Sequence, residues 1–112
     1  VTKSITRQPR EGNPPPRIVE TASGMINSIG LANIGVKKYI KDLLQIYEGL
    51  STKIIMNIAG TDIREYVEIM EMVESVSSVI AGYEINISCP NVKKGGMEFG
   101  DDCEMTAKLT ET

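Results

Sequence analysis

Hydrophobic positions along the chain follow two rhythms. Val36, Tyr39, Ile40, Leu43, Leu44 and Tyr47 are spaced i, i+3, i+4, i+7, i+8 and i+11, the stripe of an amphipathic helix. Gly49, just past it, predicts the stop. Asp62 followed three residues later by Glu65 reads as a capping box. It opens a second helix whose buried stripe is predicted as Ile63, Tyr66, Val67, Met70, Val73 and Val76. Between the two helices, residues 53–59 form a short, nearly continuous apolar run closed by Gly60. Such a run predicts a strand covered on both faces, as in parallel sheets. Residues 82–88 alternate instead: Tyr83, Ile85 and Ile87 point one way, Glu84, Asn86 and Ser88 the other. Residues 1–6 read as a further strand. Asp101 or Asp102 can cap a last helix from about Cys103 to the end of the chain.

Residues 9–35 are rich in Pro, Gly, Asn and Ser, with Pro14, Pro15 and Pro16 at their centre. Proline removes a donor and fixes φ, so no helix forms there. The stretch is predicted as one long loop, of the length that tends to carry function. Pro90 and the Gly95-Gly96 pair break the chain again. The order is strand, long loop, helix, strand, helix, strand, loop, helix. Alternating βα units imply a parallel sheet with right-handed crossovers. The fold class is therefore α/β, read as part of a (β/α)8 barrel.

In such a barrel the outer face of each strand packs on helices and is apolar, so the polar row of residues 82–88 points inward. There each polar group needs a partner. Asn57 lies near the end of its strand as Asn86 does in the next, and Lys3 lies near the end of the first. Neighbouring strands thus bring a cation and two amides to the carboxyl-terminal rim, where barrel active sites lie. Taken singly, a strand Asn is more often a satisfied amide and a lone Lys a solvated one.

Composition narrows the chemistry. The 112 residues are 41% hydrophobic and 24% charged, with a net charge of −3, ordinary for a globular domain. At this length they make at most one domain. Scattered Lys and Arg in an acidic chain give no nucleic-acid footprint, and no apolar run is long enough for a bilayer. No histidine and two cysteines exclude His-based acid–base work and the usual zinc sites, so no metal is expected. Cys89 and Cys103 are too few for a disulfide scaffold, which makes a cytoplasmic setting the default. The chain opens on Val1 with no charged, apolar leader and is expected to be an internal piece of something larger.

The run Asn86-Ile87-Ser88-Cys89-Pro90-Asn91 at a strand end carries a family resemblance. So do Thr2-Lys3-Ser4, the block from Pro9-Arg10-Glu11-Gly12-Asn13 through Pro14-Pro15-Pro16-Arg17, and Asn27-Ser28-Ile29-Gly30-Leu31-Ala32-Asn33. In order and spacing these blocks closely resemble the dihydroorotate dehydrogenases over essentially the whole chain. The three prolines, and Lys93-Lys94-Gly95-Gly96 through Phe99-Gly100, look like the soluble NAD-linked class (class 1B). Cys89 agrees, because the membrane class has serine as its base.

The resemblance implies an FMN-binding barrel that oxidises dihydroorotate to orotate in pyrimidine synthesis. Residues 1–112 would be part of that domain, roughly barrel strands two to four. Lys3, Ser4, Asn57 and Asn86 would contact FMN. Lys3, Asn27, Ser28, Ile29, Gly30, Leu31, Asn86 and Asn91 would contact the substrate, and Cys89 would be the catalytic base. The chemistry suits these residue types. The base takes a proton from one ring carbon while a hydride leaves its neighbour for the flavin, so the thiol belongs on the substrate face opposite the flavin, with a pKa near working pH. An ammonium stabilises the negative charge of the reduced flavin. Amides suit planar ligands offering donors and acceptors, and Gly30 allows close backbone approach. The glycines of residues 93–100 would suit a mobile lid, though an ordinary surface turn accounts for them more cheaply.

At Cys103 the family usually has proline, which costs nothing at a first helical position; neutral drift is the favoured reading there. The class further implies a partner subunit carrying FAD and a [2Fe-2S] cluster that passes electrons to NAD, and a homodimer of catalytic subunits within a heterotetramer. The barrel's first strand, a later lysine-bearing strand and the phosphate-binding loops have no counterpart among these residues. The 112-residue chain alone is therefore expected neither to hold FMN tightly nor to turn over. Two other readings stand beside this one: a dihydropyrimidine dehydrogenase-like barrel, which Asn91 argues against, and a non-catalytic barrel fragment serving only in assembly.

Overall fold

The computed structural model describes residues 1–87, 100 and 102–111. Its elements, in chain order, are β1 (Ile18–Thr21), β2 (Gly24–Asn27), α1 (Gly35–Glu48), β3 (Ile54–Ile58), α2 (Ile63–Glu74), β4 (Ile80–Ile85) and α3 (Cys103–Glu111). β3 and β4 pair in parallel, with Asn57 opposite Glu84 and Ile58 opposite Ile85. Ile5 bridges Ile58 in the same parallel sense, so the first segment runs along the other edge of β3. Parallel strands joined through helices bear out the α/β reading.

The apolar rhythm sorts the two faces of this sheet. Ile5, Met56 and Ile58 are buried with Val36, Tyr39 and Leu44 of α1, Tyr66, Ile69 and Val73 of α2, and Leu109 of α3. Tyr83, Ile85 and Ile87 pack against the same core. Each of these side chains contributes about 1.5–3 kcal/mol when fully buried. Asn57, Glu84 and Asn86 fall on the opposite face, which no described helix covers.

Three expectations about the strands and the α2 stripe need correction. The first segment is not a regular strand. Thr2 N donates to Ile55 O at 2.9 Å and Ile5 N to Asn57 O at 3.0 Å, so from Thr2 to Ile5 it advances three residues while β3 advances two, from Ile55 to Asn57. That is a β-bulge, with one unpaired extra residue at Lys3–Ser4. Next, the long loop contains the antiparallel hairpin β1–β2. Its strands have only four residues each, and all eight are exposed. No buried face was there to give an alternating signal. Last, the buried stripe of α2 is Tyr66, Ile69 and Val73, while Val76 lies past the helix end and is 59% exposed.

The ends of the helices explain themselves. Asp62 Oδ1 accepts from Glu65 N at 3.1 Å, as the cap pattern requires. Glu65 does not close the box on Asp62; its Oε2 accepts from Thr61 N at 2.6 Å and Thr61 Oγ1 at 2.9 Å. The α3 cap is Asp102, whose Oδ1 accepts from Glu104 N and Met105 N at 2.9 and 3.1 Å. Gly49 ends α1 at φ −80°, so the stop does not use glycine's left-handed freedom.

Candidate functional site

The helix-free face gathers polar groups from three adjacent strand segments. Asn57 is 8% exposed, and its Nδ2 donates to Glu84 Oε1 on β4. Its Oδ1 is buried with no donor among the described residues. A buried, unpaired acceptor is costly, and this one lies where the sequence placed a ligand amide. Asn86, just beyond β4, donates from Nδ2 to Ser4 Oγ at 3.3 Å. That bond spans from β4 to the first segment across the carboxyl end of β3. Lys3 is exposed and takes part in no ion pair among the described residues. The bulge explains why Lys3 and Ser4 depart from simple alternation; bulges commonly re-aim side chains beside active sites.

Tyr66 fixes the end of β4 from behind. Its side chain is fully buried in the core, and its hydroxyl donates to Asn86 O at 2.8 Å, with Gly60 O at 3.3 Å. Asn86 N in turn donates to Ile58 O at 2.9 Å. The backbone carrying the second amide is thereby held to both α2 and β3. Sequence reading placed Tyr66 in the helix stripe but gave its hydroxyl no role. It also put Glu84 in the polar row without pairing it to Asn57, although alternation already put both on one face.

The structure spreads the proposed substrate segment. Asn27 ends the exposed hairpin opposite Ile18, and nothing described ties it, Ser28 or Ile29 to Lys3, Asn57 or Asn86. Gly30 and Leu31 are both left-handed, at φ +75° and +57°. For leucine that conformation costs of order 1 kcal/mol. Asn33 holds it, since Asn33 Nδ2 donates to Leu31 O at 2.7 Å while Asn33 Oδ1 accepts from Gly35 N at 2.9 Å and Thr6 N at 3.2 Å. Leu31 also lines a cavity of about 190 Å³ with Thr6 and Gly60, which brings it to the carboxyl end of β3. The close neighbour of Gly30 is Asn13: a Cβ there would stand 2.9 Å from Asn13 N. Asn13 N donates to Ile29 O at 3.0 Å, and Asn13 Nδ2 to Ser28 O at 2.8 Å. Asn13 and Asn33 stand in the segments that carry the family resemblance, but nothing in the spacing assigns them this bracing.

Ser88, Cys89, Pro90, Asn91 and residues 92–99, with the expected lid, lie outside the described residues, so the predicted base and the Asn91 contact are proposals below. Cys103 is exposed, with a free thiol at the first turn of α3. Burial, then the Glu74 carboxylate, pushes the Tyr83 phenol up to about 12. Burial also raises that of Tyr39. Both belong to the helix side of the sheet. No helix among the described residues is long and apolar enough to cross a membrane.

Parallel strands, helices on one face and amides at the carboxyl ends on the other define an α/β unit with a polar rim. The family model for dihydroorotate dehydrogenase matches residues 1–112. The chain is 47% identical over 111 residues to the dihydroorotate dehydrogenase B (NAD(+)) catalytic subunit of Desulforamulus reducens, covering 99% of this chain and 36% of that protein. Against the protein of the same name from Bacillus pumilus it is 48% identical over 109 residues, 97% of this chain and 35% of the other. A putative dihydroorotate dehydrogenase A (fumarate) of Solibacter usitatus is 42% identical over 109 residues, again 97% of this chain and 36% of that protein. The chain belongs to the dihydroorotate dehydrogenase family. It spans about a third of the length of these relatives.

Proposed function

We propose that residues 1–112 form part of the FMN-binding (β/α)8 barrel of an NAD-linked dihydroorotate dehydrogenase catalytic subunit, which oxidises dihydroorotate to orotate. The observation that carries this reading is the buried, donor-less Oδ1 of Asn57 on the helix-free face, with Ser4, Glu84 and Asn86 around it. A planar ring bearing an N–H satisfies that acceptor, and the Lys3 ammonium supplies a cation for an anionic ring edge. These groups fit a flavin. FMN, when bound, supplies the hydride acceptor.

The work of the chain's own residues is then positioning and proton transfer. Cys89, as thiolate, takes the proton from the substrate ring carbon. Asn86 and Asn91 orient the planar substrate through amide hydrogen bonds, Lys3 holds negative charge at the rim, and the Asn27–Leu31 region closes over the ring. The naming of several relatives as NAD(+) catalytic subunits supports electron delivery to NAD and a second subunit, to which the family resemblance assigns FAD and a [2Fe-2S] cluster. The reading also takes the assembly to be cytoplasmic and built on paired catalytic subunits, as the family resemblance implies.

The test uses a chain of full family length carrying this segment. Cys89→Ala should keep its bound flavin spectrum while flavin reduction by dihydroorotate slows by about 10²–10⁴-fold, the range for losing a general base. Asn57→Leu should purify with less flavin. Unchanged reduction in Cys89→Ala would remove the thiol from the mechanism, and full flavin content in Asn57→Leu would remove Asn57 from the cofactor site.

A further inference from the structure

A second polar site lies on the other side of the first segment. A cavity of about 600 Å³ opens beside the amino end of α1, and none of Lys3, Ser4, Asn57 or Asn86 lines it. Its walls hold four cationic side chains, Arg7, Arg10, Lys37 and Lys38, against one carboxylate, that of Glu11. The chain as a whole carries −3, so this positive surplus is local. Two of these residues also keep a guanidinium nitrogen, Arg7 Nη1 and Arg10 Nε, buried without a hydrogen-bond partner among the described residues. Glu68 takes Arg7 Nε at 2.7 Å, which fixes that guanidinium and leaves its remaining donors over. Four cations gathered against one carboxylate repel one another, and an anion seated among them relieves that repulsion.

Helix α1 is also charged against its own dipole. Its first turn contains no acidic residue but does contain Lys37 and Lys38, where anionic groups are preferred. The helix end itself is not the binding group, because the Gly35 and Val36 amides already donate to Asn33 Oδ1 at 2.9 Å and Thr6 O at 3.0 Å. The donors on offer are side chains that converge from two segments. Lys38 shares its charge with Asp42 at 4.0 Å, an exposed and therefore weak pair.

We propose that this cavity binds a phosphate-bearing small molecule. Arginine forks match phosphate oxygens in pairs, and lysine adds a mobile point charge. A group with a charge near −2 and three acceptor oxygens answers several separated cations better than one carboxylate does.

Calorimetric titration of the 112-residue chain with pyrophosphate at fixed ionic strength tests this. Saturable one-site binding is expected, weakened at least about ten-fold by Arg10→Gln, through loss of a charge-assisted bond. The exposed pair Lys37→Gln/Lys38→Gln should weaken it comparably, with circular dichroism unchanged, so a folding defect cannot stand in for lost binding. Inorganic phosphate and a nucleoside monophosphate, titrated in parallel, distinguish a free phosphate site from one that also holds an ester. Absence of saturable heat, variants that bind like the parent, or succinate binding as tightly as pyrophosphate would each overturn the proposal.

Discussion

Replacing Tyr66 with phenylalanine removes one oxygen from the interior and leaves the packing of α2 on the sheet in place. The lost hydroxyl donates to Asn86 O at 2.8 Å and lies 3.3 Å from Gly60 O. A hydrogen bond of this kind contributes about 0.5–1.5 kcal/mol net, and a carbonyl left without its donor adds to the loss. The expected destabilisation is about 1–2 kcal/mol. Unfolding entropy near 2.1 cal/mol/K per residue, over 112 residues, converts this to a fall in Tm of about 4–8 °C. Thermal melting followed by circular dichroism reads it directly. Hydrogen exchange adds the location: the Asn86 amide, bonded to Ile58 O at 2.9 Å, should lose protection more than amides in the middle of α1. A Tm within about 1 °C of the parent would refute the role given to the hydroxyl, since the smallest net value above already exceeds that shift. A lower Tm with unchanged Asn86 protection would refute its placement at the end of β4.

Further outcomes follow from the same geometry. Asp62→Ala removes the acceptor for Glu65 N and should cost about 1 kcal/mol, seen as a lower denaturation midpoint in urea with the slope unchanged. The raised phenols give a pH signature. Tyr83, at about 12, and Tyr39, raised in the same direction, hold their protons more tightly folded than unfolded, where a phenol titrates near pH ~10. Their contribution is complete below pH ~10 and is lost as pH climbs toward the folded value of Tyr83, so phenolate absorbance should lag until the protein unfolds, and Tyr83→Phe should flatten the alkaline limb of stability. The 112-residue chain should purify without stoichiometric flavin. A visible flavin band at one equivalent would show that this segment suffices to hold the cofactor.

What could be read from the chain divides along burial. Val36, Tyr39 and Leu44 announce themselves because one helix face is dry and its period follows the backbone, and Met56 and Ile58 because their run is apolar almost without a break. The hairpin at Ile18–Thr21 and Gly24–Asn27 announces nothing, because neither face is covered and sequence pattern records burial. Ile69 and Val76 exchange roles in α2 because the helix stops at Glu74, leaving Val76 beyond the surface that the stripe would have met. At the site, alternation put Asn57, Glu84 and Asn86 on one side, and the motif blocks drew attention to Lys3 and Ser4. The pairing of Asn57 with Glu84, the reach of Asn86 to Ser4 and the bracing of the Gly30–Leu31 turn by Asn13 and Asn33 join residues distant in sequence. No local period encodes such contacts.

The extra residue opposite β3 sets a parity. Thr2 and Ile5 are an odd number of steps apart, and an uninterrupted strand would turn them to opposite sides. Here Ile5 enters the helix-side core, and Thr2 N, bonded to Ile55 O, sets Thr2 level with Met56 of that same core. Losing one residue between them would leave two steps against the two of β3, so both ends would stay in phase and only the bulge would disappear. A one-codon deletion there should therefore spare the helix-side core and abolish only the re-aiming of Lys3 and Ser4 toward the rim.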